Sequence, residues 1–240
     1  MAIAKFFIDQ ASVTIGDEVI LSEQESHHAI KVRRMKQGDK VMLLNGVGGK
    51  LLGTIQQCNH KALGIRIESS TQSEPAQPVV DIAVALPKGD RQKTMLDMLA
   101  QLGVATITPL LCEFSVSKYS EKVVQRWERT LLEACKQSEN PFLPQLCKAQ
   151  TVQVFIEENA NDKSIDNHFI YYADIKGKIA SLLDNKDKHE RVSILVGPEG
   201  GYSNSELSML ESKGISTLKL SNHILRIETA AVAAAAAFIR

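Results

Sequence analysis

The sequence has no excess of charge of either sign, few cysteines and no long hydrophobic run, and each shortage removes a class of function. Its 28 lysines and arginines are matched by 28 aspartates and glutamates. Nucleic-acid binding therefore cannot rest on global basicity and needs a local cluster. One exists: "KVRRMKQGDK", Lys31 to Lys40, sets Lys31, Arg33, Arg34, Lys36 and Lys40 against Asp39 alone. The four cysteines, Cys58, Cys112, Cys135 and Cys147, form no CxxC pair and no metal-ligand pattern. That argues against a zinc site or a disulfide framework, so they read as buried free thiols and no metal is expected. No stretch is uncharged for long enough to span a bilayer, and the alanine-rich run near the C-terminus is too short to do so. The N-terminal residues, with Lys5 and Asp9 close around a short apolar patch, lack the h-region of a secretion signal. The expectation is a soluble, cytoplasmic protein with no membrane partner.

What is present falls into two rhythms. From about Ile3 to Ser69, short apolar runs are broken by turns containing glycine, as expected for a small β-barrel or sandwich. Only "SEQESHHAIKVRR", Ser22 to Arg34, has room for a helix, with Ser22 and Glu25 as a candidate capping box. "SSTQSEPAQP", Ser69 to Pro78, is polar and ends in two prolines, which marks the domain boundary. Beyond it, strand and helix alternate. "VVDIAVALP" reads as a buried strand, and in "DRQKTMLDMLAQLG" the residues Met95, Met98, Leu99 and Leu102 share one helical face that stops at Gly103. "ATITPLL", "NHFIYYAD", "VSILVG" and "STLKL" read as further strands, and "EKVVQRWERTLLEACKQS" as a long helix. The alternation implies a mostly parallel α/β sheet.

A second, local absence carries the chemistry. "LVGPEGGYSNSEL", Leu195 to Leu207, has the strand, glycine turn and helix of a phosphate-gripping loop, but no lysine follows the glycines and Glu199 stands among them. Ser203 and Glu206 form a capping box that starts the next helix. The glycines therefore sit at the carboxyl end of a strand, where open α/β sheets bind ligands. "SNHILR", Ser221 to Arg226, is a second loop, followed by an alanine-rich helix with Glu228 in its first turn. "AAVAAAAAF" offers so little polar surface that another helix or a subunit is expected to approach it closely. "LPKGDRQK", Leu86 to Lys93, places Lys88, Arg91 and Lys93 at a third strand end, where an anionic partner such as RNA is expected.

In this order, "HHAIKVRRMKQGD", "LPKGDRQKTMLDMLAQLGVATITPL", "EACKQS", "LVGPEGGYSNSEL" and "LSNHILRIETA" resemble the ribosomal small-subunit methyltransferase E family of the SPOUT superfamily, over nearly the whole chain. The resemblance implies a PUA-like RNA-binding β-barrel domain over residues 1–72. It also implies a SPOUT methyltransferase domain over 73–240, whose α/β sheet is closed by a C-terminal deep trefoil knot. It further implies S-adenosylmethionine as cofactor, a homodimer, and methylation at N3 of a uridine in the decoding region of 16S rRNA, within the small ribosomal subunit. Carried onto this chain, the cofactor site comprises Leu195, Gly197, Glu199, Gly200, Leu220, Ser221, Ile224, Leu225, Arg226 and Thr229.

A methyl donor with a cationic sulfonium and no phosphate explains why the glycine loop needs no lysine. Uridine N3 bears a weakly acidic proton, so transfer requires that proton to leave and the ring anion to be stabilised. Arg226 is the candidate for that stabilisation, or else forms a structural ion pair with Glu228 or Glu199. Glu199 either assists proton removal or holds its loop through backbone amides, the structural role being favoured. Arg33, Arg34, Lys88 and Arg91 are the RNA-binding candidates. His27 and His28 diverge on a helix and do not make a metal pair, and Trp127 is expected in the core. The chain departs from the family pattern at Gln101, at Asn140 with Pro141, and at Ile227, positions that bear on substrate contacts. Two rival readings are a SPOUT methyltransferase acting on another RNA position and a non-catalytic RNA-binding or ribosome-assembly protein with this fold.

Overall fold

The short apolar runs at the start of the chain pair into a five-stranded sheet in the order β1-β3-β4-β5-β2, formed by β1 (Ala4–Phe7), β2 (Glu18–Ile20), β3 (Lys40–Leu44), β4 (Gly49–Cys58) and β5 (Leu63–Gln72). β1 runs parallel to β3, and the other neighbours are antiparallel. Period-2 alternation builds the core: in β4, Leu51 and Ile55 are buried and Leu52 and Gln56 exposed. Phe6, Val19, Leu43, Leu63 and Ile65 complete that core. Two register shifts between β4 and β5 are the bulges that bend so long a pair.

This computed structural model describes residues 3–58, 62–117, 119–160, 167–179 and 189–239. It divides into two units, Met1–Pro75 with Leu132–Leu143, and Ala76–Leu131 with Pro144–Arg240. In the first unit, helix α1 (Glu23–His27) passes into a wider turn over His28–Val32. Only half of the expected capping box forms. Ser22 Oγ accepts from the Glu25 N–H at 3.3 Å, but the Glu25 carboxylate accepts instead from Lys136 Nζ at 2.8 Å. A buried ammonium outcompetes a backbone amide for a carboxylate, and the pair joins two stretches far apart in sequence.

In the second unit the elements are β6 (Val79–Ala85), α2 (Arg91–Leu102), β7 (Thr106–Leu111), α3 (Val124–Ser138), β8 (Gln145–Leu146), β9 (Gln150–Thr151), α4 (Val152–Ala160), β10 (His168–Ile179), β11 (Arg191–Val196), α5 (Asn204–Ser212), β12 (Ser216–Lys219) and α6 (Ile227–Ala236). The last residues of α3 are those grouped with the first unit. The sheet order is β12-β10-β11-β6-β7-β8, with β9 also on β7, and its pairs are parallel. Central strands covered on both faces read as continuous apolar runs, as in Ile82–Ala85. The exception is Asp81, only 4% exposed. It accepts from Thr106 Oγ1 at 2.6 Å, from Arg191 Nη2 at 3.1 Å and from Arg191 Nε, so β6, β7 and β11 are tied at their starting edge.

The alanine run behaves as its small side chains predict: Ala231, Ala234 and Ala235 are fully buried and α6 lies along α2. That neighbour turns the buried face of α2, which is Met95, Leu96, Leu99 and Ala100, while Met98 and Leu102 of the expected stripe are half-buried. Gly103 ends the helix at φ 88°, as expected. β10 runs past the predicted end at Asp174, because a bulge between Ala173 and Lys178 lets it rejoin β12.

Candidate functional site

Parallel strands bring their carboxyl ends to one edge, and there the loops after β6, β7, β11 and β12 converge with the bulge of β10. The loop after β11 is shaped by its glycines. A Cβ on Gly197 would meet Cε2 and Cζ of Tyr202 at 3.0 Å, so this glycine lets the Tyr202 ring fold beneath the loop. A Cβ on Gly200 would lie 3.1 Å from Cβ of Phe114, and Gly201 turns the chain at φ 76°. The expected capping box is complete. Ser203 Oγ accepts the Glu206 N–H at 3.3 Å, and Glu206 Oε2 accepts the Ser203 N–H at 2.8 Å.

The loops after β11 and β12 and the irregular stretch of β10 line a cavity of about 430 Å3, within the range that holds a small organic ligand. Of the expected cofactor residues, Gly197, Glu199, Gly200, Leu220, Ser221, Ile224 and Leu225 line it. Leu195 lies behind it, fully buried in β11, while Arg226 and Thr229 are exposed at the start of α6 and outside the cavity wall. Asp174, Ile175, Tyr202 and Ile227 also line it. Asp174 ends the strand expected from "NHFIYYAD" and Ile175 lies just beyond it, both in the stretch where β10 shifts register against β12. Ile227, where the family pattern has a polar residue, supplies an apolar wall.

The cavity wall carries Asp174 and Glu199 but no lysine or arginine. Such a wall offers phosphate no cationic side chain, and Leu220, Leu225 and Ile227 give apolar surface for a flat ring. The Tyr202 hydroxyl is buried without a hydrogen-bond partner among the described residues. Burial, followed by the charges of Cys112 and Glu206, holds its phenol well above the usual value, so it remains protonated.

Arg91 occupies the position that sequence reasoning considered for Arg226. Its Nη1 is 3.8 Å from Glu199 Oε1 and 3.8 Å from Glu228 Oε2, so one cation faces both the glycine loop and the first turn of α6. Arg226 makes no ion pair among the described residues and is exposed, which removes the structural pairing considered for it. Of the other basic candidates, Lys88 is exposed in the loop after β6, and in the first unit Arg33 and Arg34 are exposed, Arg34 at φ 55°.

Trp127 is 2% exposed and packs near Tyr119, as a core residue. His28 lies edge-on to Phe6, and His27 is exposed. The expectation of four buried thiols holds for Cys112 and Cys135. Cys147 is half-buried, and Cys58 is exposed because it ends β4 on the solvent side. The departures from the family pattern are absorbed locally. Gln101 donates to Asp97 Oδ2 at 2.7 Å, Asn140 Oδ1 accepts the Phe142 N–H at 3.0 Å, and Pro141 O accepts the Gly48 N–H at 3.0 Å.

Residues 73–239 match the family model described as an RNA methyltransferase domain, and residues 21–68 match that of an RNA methyltransferase PUA domain. The chain belongs to the RNA methyltransferase family. This methyltransferase is 31% identical over 218 residues to Ribosomal RNA small subunit methyltransferase E of Rickettsia conorii, covering 90% of this chain and 87% of that one. Its identity to the Synechocystis protein of the same name is 29% over 218 residues, covering 91% of this chain and 71% of that one. A Legionella pneumophila structure with bound cofactor S-adenosylmethionine superposes with a TM-score of 0.86 at 26% identity, over 99% of this chain and 97% of that one. The resemblance read from the glycine and "LR.ETA" loops is thereby met, as is the expected SPOUT-type α/β fold with a PUA-like domain. Among the described residues, no helix is long and apolar enough to cross a membrane.

Proposed function

We propose that this methyltransferase transfers a methyl group from S-adenosylmethionine to N3 of a uridine in 16S rRNA, acting as a cytoplasmic homodimer on the small ribosomal subunit. The observation that carries the reading is the cavity between the "GPEGG" and "LSNHIL" loops, whose wall holds two carboxylates and no lysine or arginine. Residues 1–72 are proposed as the RNA-binding domain. Residues 73–240 are proposed as the cofactor-binding and dimerising domain, with a trefoil knot formed by the last strand, loop and helix.

The cofactor fits the residues present. Gly197, Glu199, Gly200, Leu220, Ser221, Ile224 and Leu225 are proposed to hold it, with Leu195 and Thr229 supporting from behind the wall and from α6. When bound, S-adenosylmethionine supplies an electrophilic methyl group on a cationic sulfur. Glu199 and Asp174 complement that charge, and the apolar walls exclude water from it. Arg91 holds Glu199, so the glycine loop keeps its shape while the cofactor enters. The exposed guanidinium of Arg226, unpaired among the described residues, is proposed to neutralise charge that develops on a uracil carbonyl oxygen as the N3 proton leaves. Lys88, Arg33 and Arg34 are proposed to meet RNA phosphates.

Nucleoside mass analysis tests the proposal. 16S rRNA from a strain lacking the gene should lose 3-methyluridine, and the purified protein with S-adenosylmethionine should restore it on small subunits from that strain. Persistence of 3-methyluridine in the deletion strain would overturn the assignment, and loss of a different methylated nucleoside would redirect it to another RNA position.

A further inference from the structure

We propose that Phe114 is a stacking platform for an unpaired base of the RNA substrate at the rim of the cofactor cavity, an inference that rests on the RNA methyl-transfer reading above. Of the seven Phe, four Tyr and single Trp, all among the described residues, Phe114 alone is exposed, at 47%. Its backbone is held in place. The Ser115 N–H donates to Cys112 O at 3.0 Å, the Cys112 N–H to Ser115 Oγ at 3.2 Å, and the Glu113 N–H to Glu206 Oε1 at 3.1 Å. The other oxygen of Glu206 caps α5, so a single carboxylate joins the turn that carries Phe114 to the end of the glycine loop.

The ring is also placed relative to the cavity. Gly200 lines the cavity, and a Cβ on it would come within 3.1 Å of Phe114 Cβ and 3.7 Å of its ring carbon Cγ. Methylation on a pairing edge requires the target base to leave its stack and pairing, and proteins that hold such bases offer an aromatic face in place of the missing neighbours. Within the cavity wall the Tyr202 ring is buried and has no face free for a base, and the exposed ring there is the smaller imidazole of His223. Phe114 is the exposed Phe, Tyr or Trp ring at this edge and offers the larger apolar face to a base.

The test uses the full-length protein as Phe114→Ala, Phe114→Leu and Phe114→Trp. It measures KM for small subunits from the deletion strain, kcat, cofactor affinity by calorimetry and oligomeric state by sedimentation. A stacking role predicts that Ala and Leu raise KM for RNA about 10-fold or more, that Trp restores it, and that cofactor affinity and sedimentation stay at wild-type values. An unchanged KM in Phe114→Ala overturns the inference, as does full rescue by Leu, which would mean simple apolar packing. A KM change that accompanies dissociation of a dimer also overturns it and assigns Phe114 to an interface between copies of this chain. Absence of methyl transfer by the wild type in the same assay would overturn the reading beneath it.

Discussion

Arg91 Nη1 lies 3.8 Å from Glu228 Oε2, a carboxylate oxygen buried without a hydrogen-bond donor, and at the same distance from Glu199 Oε1. The guanidinium therefore balances charge between the helix that ends the chain and the loop that shapes the cavity. Removing it leaves Glu228 without its ion-pair partner among the described residues. Arg91→Ala should lower stability by about 1–2 kcal/mol, below the cost of breaking a fully buried pair because the arginine is partly exposed. Urea denaturation measures this. Adding Glu228→Gln to Arg91→Ala should recover part of the loss, since the uncompensated charge disappears, and strictly additive losses would refute the pairing.

The role proposed for Arg226 separates catalysis from binding. Arg226→Ala should abolish methyl transfer while leaving cofactor affinity within a few-fold, because its side chain is exposed outside the cavity wall. Calorimetry and a methyl-transfer assay on the same preparation read both quantities. Turnover at the wild-type rate would refute the role.

The two glycines that flank the carboxylate loop should fail differently. Gly197→Ala puts a methyl 3.0 Å from the Tyr202 ring, which must shift against the cavity. Cofactor affinity should fall about 10-fold, as overpacking displaces the pocket wall. Gly201→Ala has open space but a φ of 76°, so its cost should appear in stability, at about 1 kcal/mol. Equal effects of both on affinity would contradict this division.

Lys88, Arg33 and Arg34 are exposed. Reversing their charge should weaken RNA binding and flatten its dependence on salt, because fewer phosphates are then neutralised and fewer counterions leave the RNA on binding. A salt titration with an unaltered slope would exclude these three residues as partners of the phosphates.

The thiols should divide by burial. Burial pushes Cys135 up to about 12, and burial with the nearby Glu206 charge pushes Cys112 to about 12, against 9.0 for an ordinary thiol. At pH 8 a thiol reagent should therefore modify the exposed Cys58 first, and Cys112 and Cys135 only on unfolding. The folded thiols keep protons that the unfolded ones release above pH 9, so stability should fall as pH rises from 9 towards 12. A urea midpoint at pH 10 equal to that at pH 7.5 would argue against their burial.

Several elements were legible because the signal for each is local. Ser203 and Glu206 bond within one helical turn, Gly103 ends a helix by its own φ, and the alternation in β4 follows from the pleat alone. The Ser22 box was legible only by half. Its glutamate is taken by Lys136, a residue 111 positions away, and no window of sequence contains that competitor.

The sequence by itself determined the alternation of strands and helices apart from β8, β9 and α4, the glycine-bearing and "LRIETA" loops, and the missing lysine that argues against a phosphate ligand. Those features depend on residue type, local periodicity and backbone freedom. Tertiary structure decided which charges meet. It gave Arg91, and not Arg226, to Glu199 and Glu228, put Asp174 and Ile175 into the cavity through a bulge in β10, and left Phe114 exposed against Gly200. Each of these joins residues from different strands and loops. Parallel strands bring such loops to one edge only after the sheet has formed, so the partners of a charge or a ring at that edge cannot be read from its neighbours in the chain.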